Sequence, residues 1–316
     1  MQDVDVDGVV SPERRAEYRE RFAEHGFVRV DGLLTAEEVE RYRAAIDAGL
    51  ERRLAGDVRK QKHPEKYAST FHQCINLWED VPEVRPLTFH PAIAATVAAI
   101  LDVPAVRVWH DQALYKGPGG RRTDPHQDQP YWPIVETDTV TAWIPLVDVP
   151  LEAGAMGYVP GSHRFGVRKF ANIFTDRGFD LEHGPEARGV PPVFQPVPAG
   201  SVVFHHGLTI HTAGANETSS VRKAHSIIFF ADGSTRGTFP PTHPAVDRAG
   251  IAVGERIDSV VTPIAYPRPA GDLPETPPPM EKPEVNWPGW DWSTFEGFDL
   301  SKLRKATPKP SPGRDS

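Results

Sequence analysis

A mainly β fold with flanking helices is what this chain of 316 residues predicts, and three observations carry the expectation. Helix signals crowd the first third. From about Val106 they give way to short β-rich runs separated by Gly, Pro and Asp clusters. Those runs do not alternate with helical segments, so a sandwich or barrel fits better than a β-α-β sheet.

Taken in order, Ser11 caps a first helix that has Pro12 at its first position, and Gly26 stops it. Phe27 to Val30 reads as a short strand. Thr35 and Glu38 form a capping box ahead of a second helix, in which Val39, Tyr42, Ile46 and Leu50 recur on one face. A further helix is expected from Pro91 to Leu101 through Ile93, Val97 and Ile100. Strands are then expected over Val106–Tyr115, Val140–Val147, Met156–Val159, Ser201–His205 and His225–Phe230. Proline is the compositional oddity: of 33 prolines, 12 fall from Thr262 onward. We therefore expect one domain over residues 1–262, with its β part beginning near 106, and a proline-rich tail over 263–316. Trp287, Trp290 and Trp292 argue that part of this tail packs on the domain or on a neighbouring subunit, with the chain from Pro308 mobile.

Composition excludes several classes of function. Hydrophobic residues make up 39% of the chain, ordinary for a globular protein. A net charge of −8 and a pI near 5.9 leave no electrostatic basis for nucleic-acid binding. Cys74 is the single cysteine, so no intrachain disulfide can form. The acidic opening residues lack the layout of a signal peptide, and no apolar run approaches the roughly 18 residues of a membrane span. A cytoplasmic protein is the expectation, and a homo-oligomer is compatible with it.

The central chemical clue is the run from Asp124 to Trp132, with His126 and Asp128 two residues apart. In a strand such positions share a face, so an imidazole and a carboxylate can hold one ion together. A second segment, Phe204 to Asn216, offers His205, His206 or His211 as a second imidazole. Two histidines and one carboxylate leave adjacent coordination positions open, the arrangement of non-haem Fe(II) oxygenases. A lone His-x-Asp arises by composition, and taken alone a surface or hydrogen-bonded His beside a turn-forming Asp explains it better.

The surroundings discriminate. His126-Gln-Asp128, Ala142-Trp-Ile-Pro-Leu146, Val159-Pro-Gly-Ser-His163, Pro198 to His205, His211 to Asn216 and Arg222-Lys-Ala224 follow one another in order. In this the chain resembles the phytanoyl-CoA dioxygenase family of Fe(II)- and 2-oxoglutarate-dependent oxygenases, over roughly Gly26 to Asp232. The resemblance implies a double-stranded β-helix, the cupin-like jelly-roll barrel. It implies that His126, Asp128 and His211 bind iron and that Arg222 pairs with the far carboxylate of 2-oxoglutarate. A guanidinium suits that role because it is a planar fork that stays charged when buried.

Gln112 and Trp143 match positions lining the co-substrate pocket in relatives. Against that, Gln112 reads equally as a polar residue on an edge strand and Trp143 as plain core. Many relatives carry a serine two residues past the distal histidine, where this chain has Ala213; Thr212 would face the other way. His163 reads as structural or at the pocket rim, Arg121 and Arg122 as solvated loop charges, and Tyr131 and Trp132 as walls of a substrate pocket. The implied reaction couples decarboxylation of 2-oxoglutarate by O2 to hydroxylation of a small molecule, an acid or a secondary metabolite. A barrel metalloenzyme that does not use 2-oxoglutarate, or a silent binding protein on the same fold, are the alternatives.

Overall fold

The computed structural model describes residues 11–55, 71–168, 189–269 and 271–278. The segment with Trp287, Trp290 and Trp292 and the chain from Pro308 lie outside the described residues.

Helix α1 (Pro12–His25) starts where the Ser11 hydroxyl accepts the Arg14 N–H and ends at Gly26, whose φ is 81°. A side chain at Gly26 would also strike His163 and Thr209, so glycine is required there twice over. Strand β1 (Phe27–Val30) follows. Helix α2 (Ala36–Leu54) carries both halves of the capping box: Glu38 N–H to Thr35 Oγ1 at 3.2 Å, and Thr35 N–H to the Glu38 carboxylate at 2.9 Å. Next come β2 (Phe71–Ile75) and two one-turn helices, α3 (Leu77–Asp80) and α4 (Arg85–Thr88), which the sequence did not signal. Helix α5 (Pro91–Leu101) has the expected bounds.

The expected strands are present with shifted ends: β3 (Val106–Lys116), β5 (Thr139–Pro145), β6 (Met156–Tyr158), β8 (Val202–His206) and β10 (Arg222–Ala231). Four short ones join them: β4 (Thr123–His126), β7 (Val193–Phe194), β9 (His211–Ala213) and β11 (Ile264–Tyr266). A last helical turn, α6 (Pro244–Asp247), precedes β11. All pairings are antiparallel, in two sheets. The larger runs β1-β8-β5-β10-β3-β11 with β2 also on β3, and the smaller runs β4-β9-β6-β7.

The larger sheet is buried on both faces. Val28, Phe204, Ala142, Ile144, Ile227 and Phe229 pack outward against Tyr18, Ile46, Ile93 and Val97 of the helices. The opposite residues, among them Trp143, Arg222 and Ser226, line a pocket that Met156 and Ala213 of the smaller sheet also line. Between Ile228 and Phe229 the register with β3 skips Trp109. This bulge turns Trp109 to the same side as Ile228, Phe230 and Trp132, extending the inner core.

One expectation is revised. Pro82–Leu101 is a helical stretch of 20 residues whose most apolar 18-residue window has a mean hydropathy of 1.4, long and apolar enough to cross a membrane by length and composition. Pro and polar residues interrupt it, so no single apolar run marks it. In the fold Val84, Leu87, Ile93 and Val97 are wholly buried in the helix–sheet core. Beyond Thr262, β11 pairs with β3, and Arg85 and Arg248 donate to the carbonyls of Pro274 and Pro278.

One buried polar knot ties the one-turn helices to the sheet. The Asp111 carboxylate accepts from the Trp78 N–H (3.2 Å) and the Thr88 hydroxyl (2.8 Å), and His225 Nε2 lies 3.3 Å from the same oxygen. Substituting Asp111→Ala strands these partners without water. It is expected to cost about 3 kcal/mol, read as a lower denaturant midpoint at unchanged slope. An unchanged midpoint would show that the knot is dispensable.

Candidate metal centre and co-substrate pocket

Strands β4 and β9 bring His126 and His211 together as direct Cα partners. Their rings stand 4.2 Å apart, and each Nε2 lies 3.6 Å from Asp128 Oδ1. Each Nδ1 faces a backbone carbonyl, Asp124 O at 2.8 Å for His126 and Thr209 O at 3.0 Å for His211. A carbonyl only accepts, so Nδ1 carries the proton and Nε2 presents its lone pair inward. Burial pushes both imidazoles down, His211 to about 3, so both are neutral at pH 7. The ligand atoms of His126, Asp128 and His211 lie within 4.8 Å of one another, a set that fits a divalent transition metal.

Asp128 reaches this point differently from expectation. It does not follow His126 in a strand: β4 ends at His126, and Asp128 has φ −78° and ψ −39° at the start of a 3-10 turn, Gln129–Tyr131. The turn, not strand alternation, swings the carboxylate back toward the imidazole. Its other oxygen is held by the Thr141 hydroxyl at 2.8 Å and by His205 Nε2 at 3.1 Å. His205 Nδ1 has no partner, so the proton sits on Nε2 and is donated to the carboxylate. Burial pushes the Asp128 carboxyl up, but His211, His205 and His126 outweigh it and hold it well below the usual carboxylate range. His205 lay in the candidate segment, yet spacing gave it no role; Thr141 carried no signal at all.

At the other end of the pocket, Arg222 is 3% exposed. Its guanidinium donates to the carbonyls of Gly154 and Leu114, both at 3.3 Å, and lies 5.8 Å from the centre of the Trp143 ring. Among the described residues no carboxylate pairs with it. Burial lowers its pKa to about 10, which leaves it charged. Gln112 and Trp143 line the same pocket. Gln112 is not on an edge: at its position β3 is flanked by β10 and β2, and its side chain accepts from Gln73 at 2.6 Å. Ala213, Tyr131 and Trp132 also line the pocket, while the Thr212 hydroxyl turns to Thr123 O at 2.6 Å. His163 is structural: its Nε2 lies 3.2 Å from Ala23 O at the end of α1. Arg121 and Arg122 are half-exposed or more and face Asp124.

Lys116, opposite Arg222 in the register, is 1% exposed and donates to Gly214 O at 2.7 Å. Burial, then the charges of Arg222 and Arg121, depress its pKa to about 7.

Comparison with known proteins gives the chain its family. Residues 22–224 match the family model described as phytanoyl-CoA dioxygenase. The chain is 28% identical over 171 residues to the mouse phytanoyl-CoA dioxygenase domain-containing protein 1, covering 52% of this chain and 57% of that protein. It is 28% identical over 138 residues to a probable alpha-ketoglutarate-dependent hypophosphite dioxygenase of Stutzerimonas stutzeri, covering 40% and 45%. The match thus spans about half the length of these curated relatives. Among solved structures, the non-heme alpha-ketoglutarate-dependent carbocyclase SnoK of nogalamycin biosynthesis is similar at 30% identity and a TM-score of 0.65, covering 78% of this chain and 95% of that one. The epimerase SnoN, solved with Fe3+, alpha-ketoglutarate and nogalamycin RO, is similar at 26% identity and a TM-score of 0.64, covering 81% and 100%.

Two outcomes follow from the local chemistry. Replacing His205→Phe frees the outer oxygen of Asp128, and we expect about ten- to hundred-fold weaker Co(II) binding by titration; wild-type affinity would remove His205 from the site. For Lys116, the unfolded chain between about pH 7 and 10 holds a proton that the folded chain lacks, so stability rises with pH there. Lys116→Met should flatten the gain in unfolding midpoint between pH 7 and 8.5, and an unaltered gain would refute the assignment.

Proposed function

The chain belongs to the phytanoyl-CoA dioxygenase family, and on that premise we propose that it is an Fe(II)- and 2-oxoglutarate-dependent dioxygenase that hydroxylates a small molecule. One observation carries this reading. Two neutral imidazoles and a carboxylate converge at one end of a pocket, and a buried arginine with no acidic partner waits at the other. The two facing sheets are read as the jelly-roll barrel of this enzyme class.

In this reading His126, Asp128 and His211 hold the iron, with His205 and Thr141 keeping one oxygen of Asp128 turned toward it. Arg222 takes the far carboxylate of 2-oxoglutarate as a planar fork. Trp143 lies beside that fork, and Gln112 stands on the same lining. Iron with 2-oxoglutarate and O2 supplies the oxidising power, releasing succinate and CO2. Tyr131 and Trp132 exclude water from the substrate side, and burial keeps His110 there neutral, with a pKa lowered to about 4. Asp128 favours oxygenation over halogenation, because a halide would need the position its carboxylate fills.

A second outcome has its own support. The solved neighbours SnoK and SnoN are a carbocyclase and an epimerase that depend on the same co-substrate, so hydrogen removal on such a scaffold can end in ring closure or inversion. Product mass separates the three: gain of one oxygen, loss of two hydrogens, or no change.

The core reading is tested without the substrate. Adding Fe(II) and 2-oxoglutarate in the absence of oxygen should give a visible charge-transfer band, lost in Asp128→Ala. If the wild-type protein gives no band, the oxygenase reading falls.

A further inference from the structure

Cross-strand rows divide the pocket wall of the larger sheet. Ile228 of β10 has His110 on β3 and Thr141 on β5 as its Cα partners, and Thr141 has His205 on β8. Thr141 and His205 grip Asp128, so His110 stands in the row of the metal centre, at the end away from that grip. It lines the pocket together with Tyr131 and Trp132, and the charge of Asp128 acts on it. The bulge in β3 falls just past this row and turns Trp109 to the same side.

The His110 ring is held in one orientation. Its centre lies 6.5 Å from that of Trp132, with the planes at 77°, and 6.5 Å from that of His243, with the planes at 22°. His243 is fixed in turn, packed on Trp109 at 4.6 Å and accepting the Ala245 N–H at Nδ1. His110 Nδ1 lies 3.3 Å from the Asp111 carbonyl. A carbonyl only accepts, so Nδ1 carries the proton and Nε2 carries a lone pair. Burial keeps the imidazole neutral at pH 7. A hydrocarbon side chain would fill this aromatic surround without the cost of desolvating a ring nitrogen, so the imidazole marks a polar demand there.

We infer that His110 selects the substrate, its Nε2 accepting a hydrogen bond from a hydroxyl on an uncharged ring compound seated against Tyr131 and Trp132. The inference rests on the proposed oxygenase reading, which puts the substrate at this end of the pocket. Flat aromatic walls suit a ring, and an acceptor of fixed direction demands a donor. An acid finds no partner here. Its carboxylate would meet a lone pair, and the one lining cation among the described residues, Arg222, is held at the Leu114 carbonyl, four residues along β3 from His110. Of the two substrate classes expected from the sequence, an acid or a secondary metabolite, this chemistry favours a neutral phenol or alcohol.

The test titrates phenol, anisole and benzoate without oxygen into protein loaded with Fe(II) and saturating 2-oxoglutarate, and reads the shift of the charge-transfer band. Phenol should bind about ten-fold more tightly than anisole, which lacks the donor, and benzoate no better than anisole. His110→Phe should reduce phenol to the level of anisole, while His110→Gln, which keeps an acceptor oxygen, should retain part of the preference. Equal binding of phenol and anisole, a preference unchanged in His110→Phe, tighter binding of benzoate, or no response to any probe each overturns the inference. So does a band lost in His110→Phe, which would make His110 a structural residue. A wild-type protein that forms no band overturns the oxygenase reading itself.

Discussion

The register of β10 is the constraint on which the rest of the site depends. It is paired on both sides, with β3 and with β5, so its side chains have no freedom to slip. A shift of one residue would turn Lys223 and His225 into the pocket and send Arg222 and Ser226 into the helical core. The same pairing sets Trp143 across from Ser226, and Thr141 across from Ile228. Thr141 in turn has His205 as its partner on β8, so the two donors that grip Asp128 are neighbours in one ladder. The bulge at Trp109 is the one relaxation, and it falls where the pocket gives way to the aromatic core.

Within that frame the charges are held apart, each short of a counter-ion. A buried carboxylate and a buried guanidinium normally find each other, because leaving either alone in low dielectric is costly. Here Asp128 is satisfied by a hydroxyl and imidazoles at one end, and Arg222 by carbonyls at the other. Neutral groups can stabilise a charge without cancelling it. The pocket therefore keeps an anionic end and a cationic end available, which is the complement of a metal cation at one and a carboxylate at the other.

Much of this was legible beforehand, and what was hidden has physical reasons. Ser11, Gly26 and the Thr35–Glu38 box mark helix ends because those contacts are local, and the structure makes the same bonds. The larger strands were legible as β-rich runs, but their alternation was blurred because both faces of the sheet are buried; all seven residues of β5 are, for instance. Strands β4 and β9 escaped notice because three or four residues carry too little pattern, although they hold His126 and His211. Ordered motifs single out the proposed ligands, yet strand alternation is not what orients Asp128: a turn places it. His205 had no such signal, since a role among three nearby histidines needs the fold.

The origin of the donors explains why the centre sits where it does. The two imidazoles come from the smaller sheet, the grip on Asp128 and the Arg222 cradle come from the larger, and Asp128 itself rides on the turn that follows β4. Neither sheet alone presents the metal site. The proposed ligand set exists only once the sheets face each other, and any ion that binds it favours the packed arrangement over the open one. The backbone carbonyls of Asp124 and Thr209 add to this coupling, because each fixes a tautomer only while its own loop is in place. Placing the centre at the junction of two sheets thus makes metal binding and sheet packing a single cooperative event. The helical layer, by filling the outer face of the larger sheet, keeps that sheet from relaxing away from the junction.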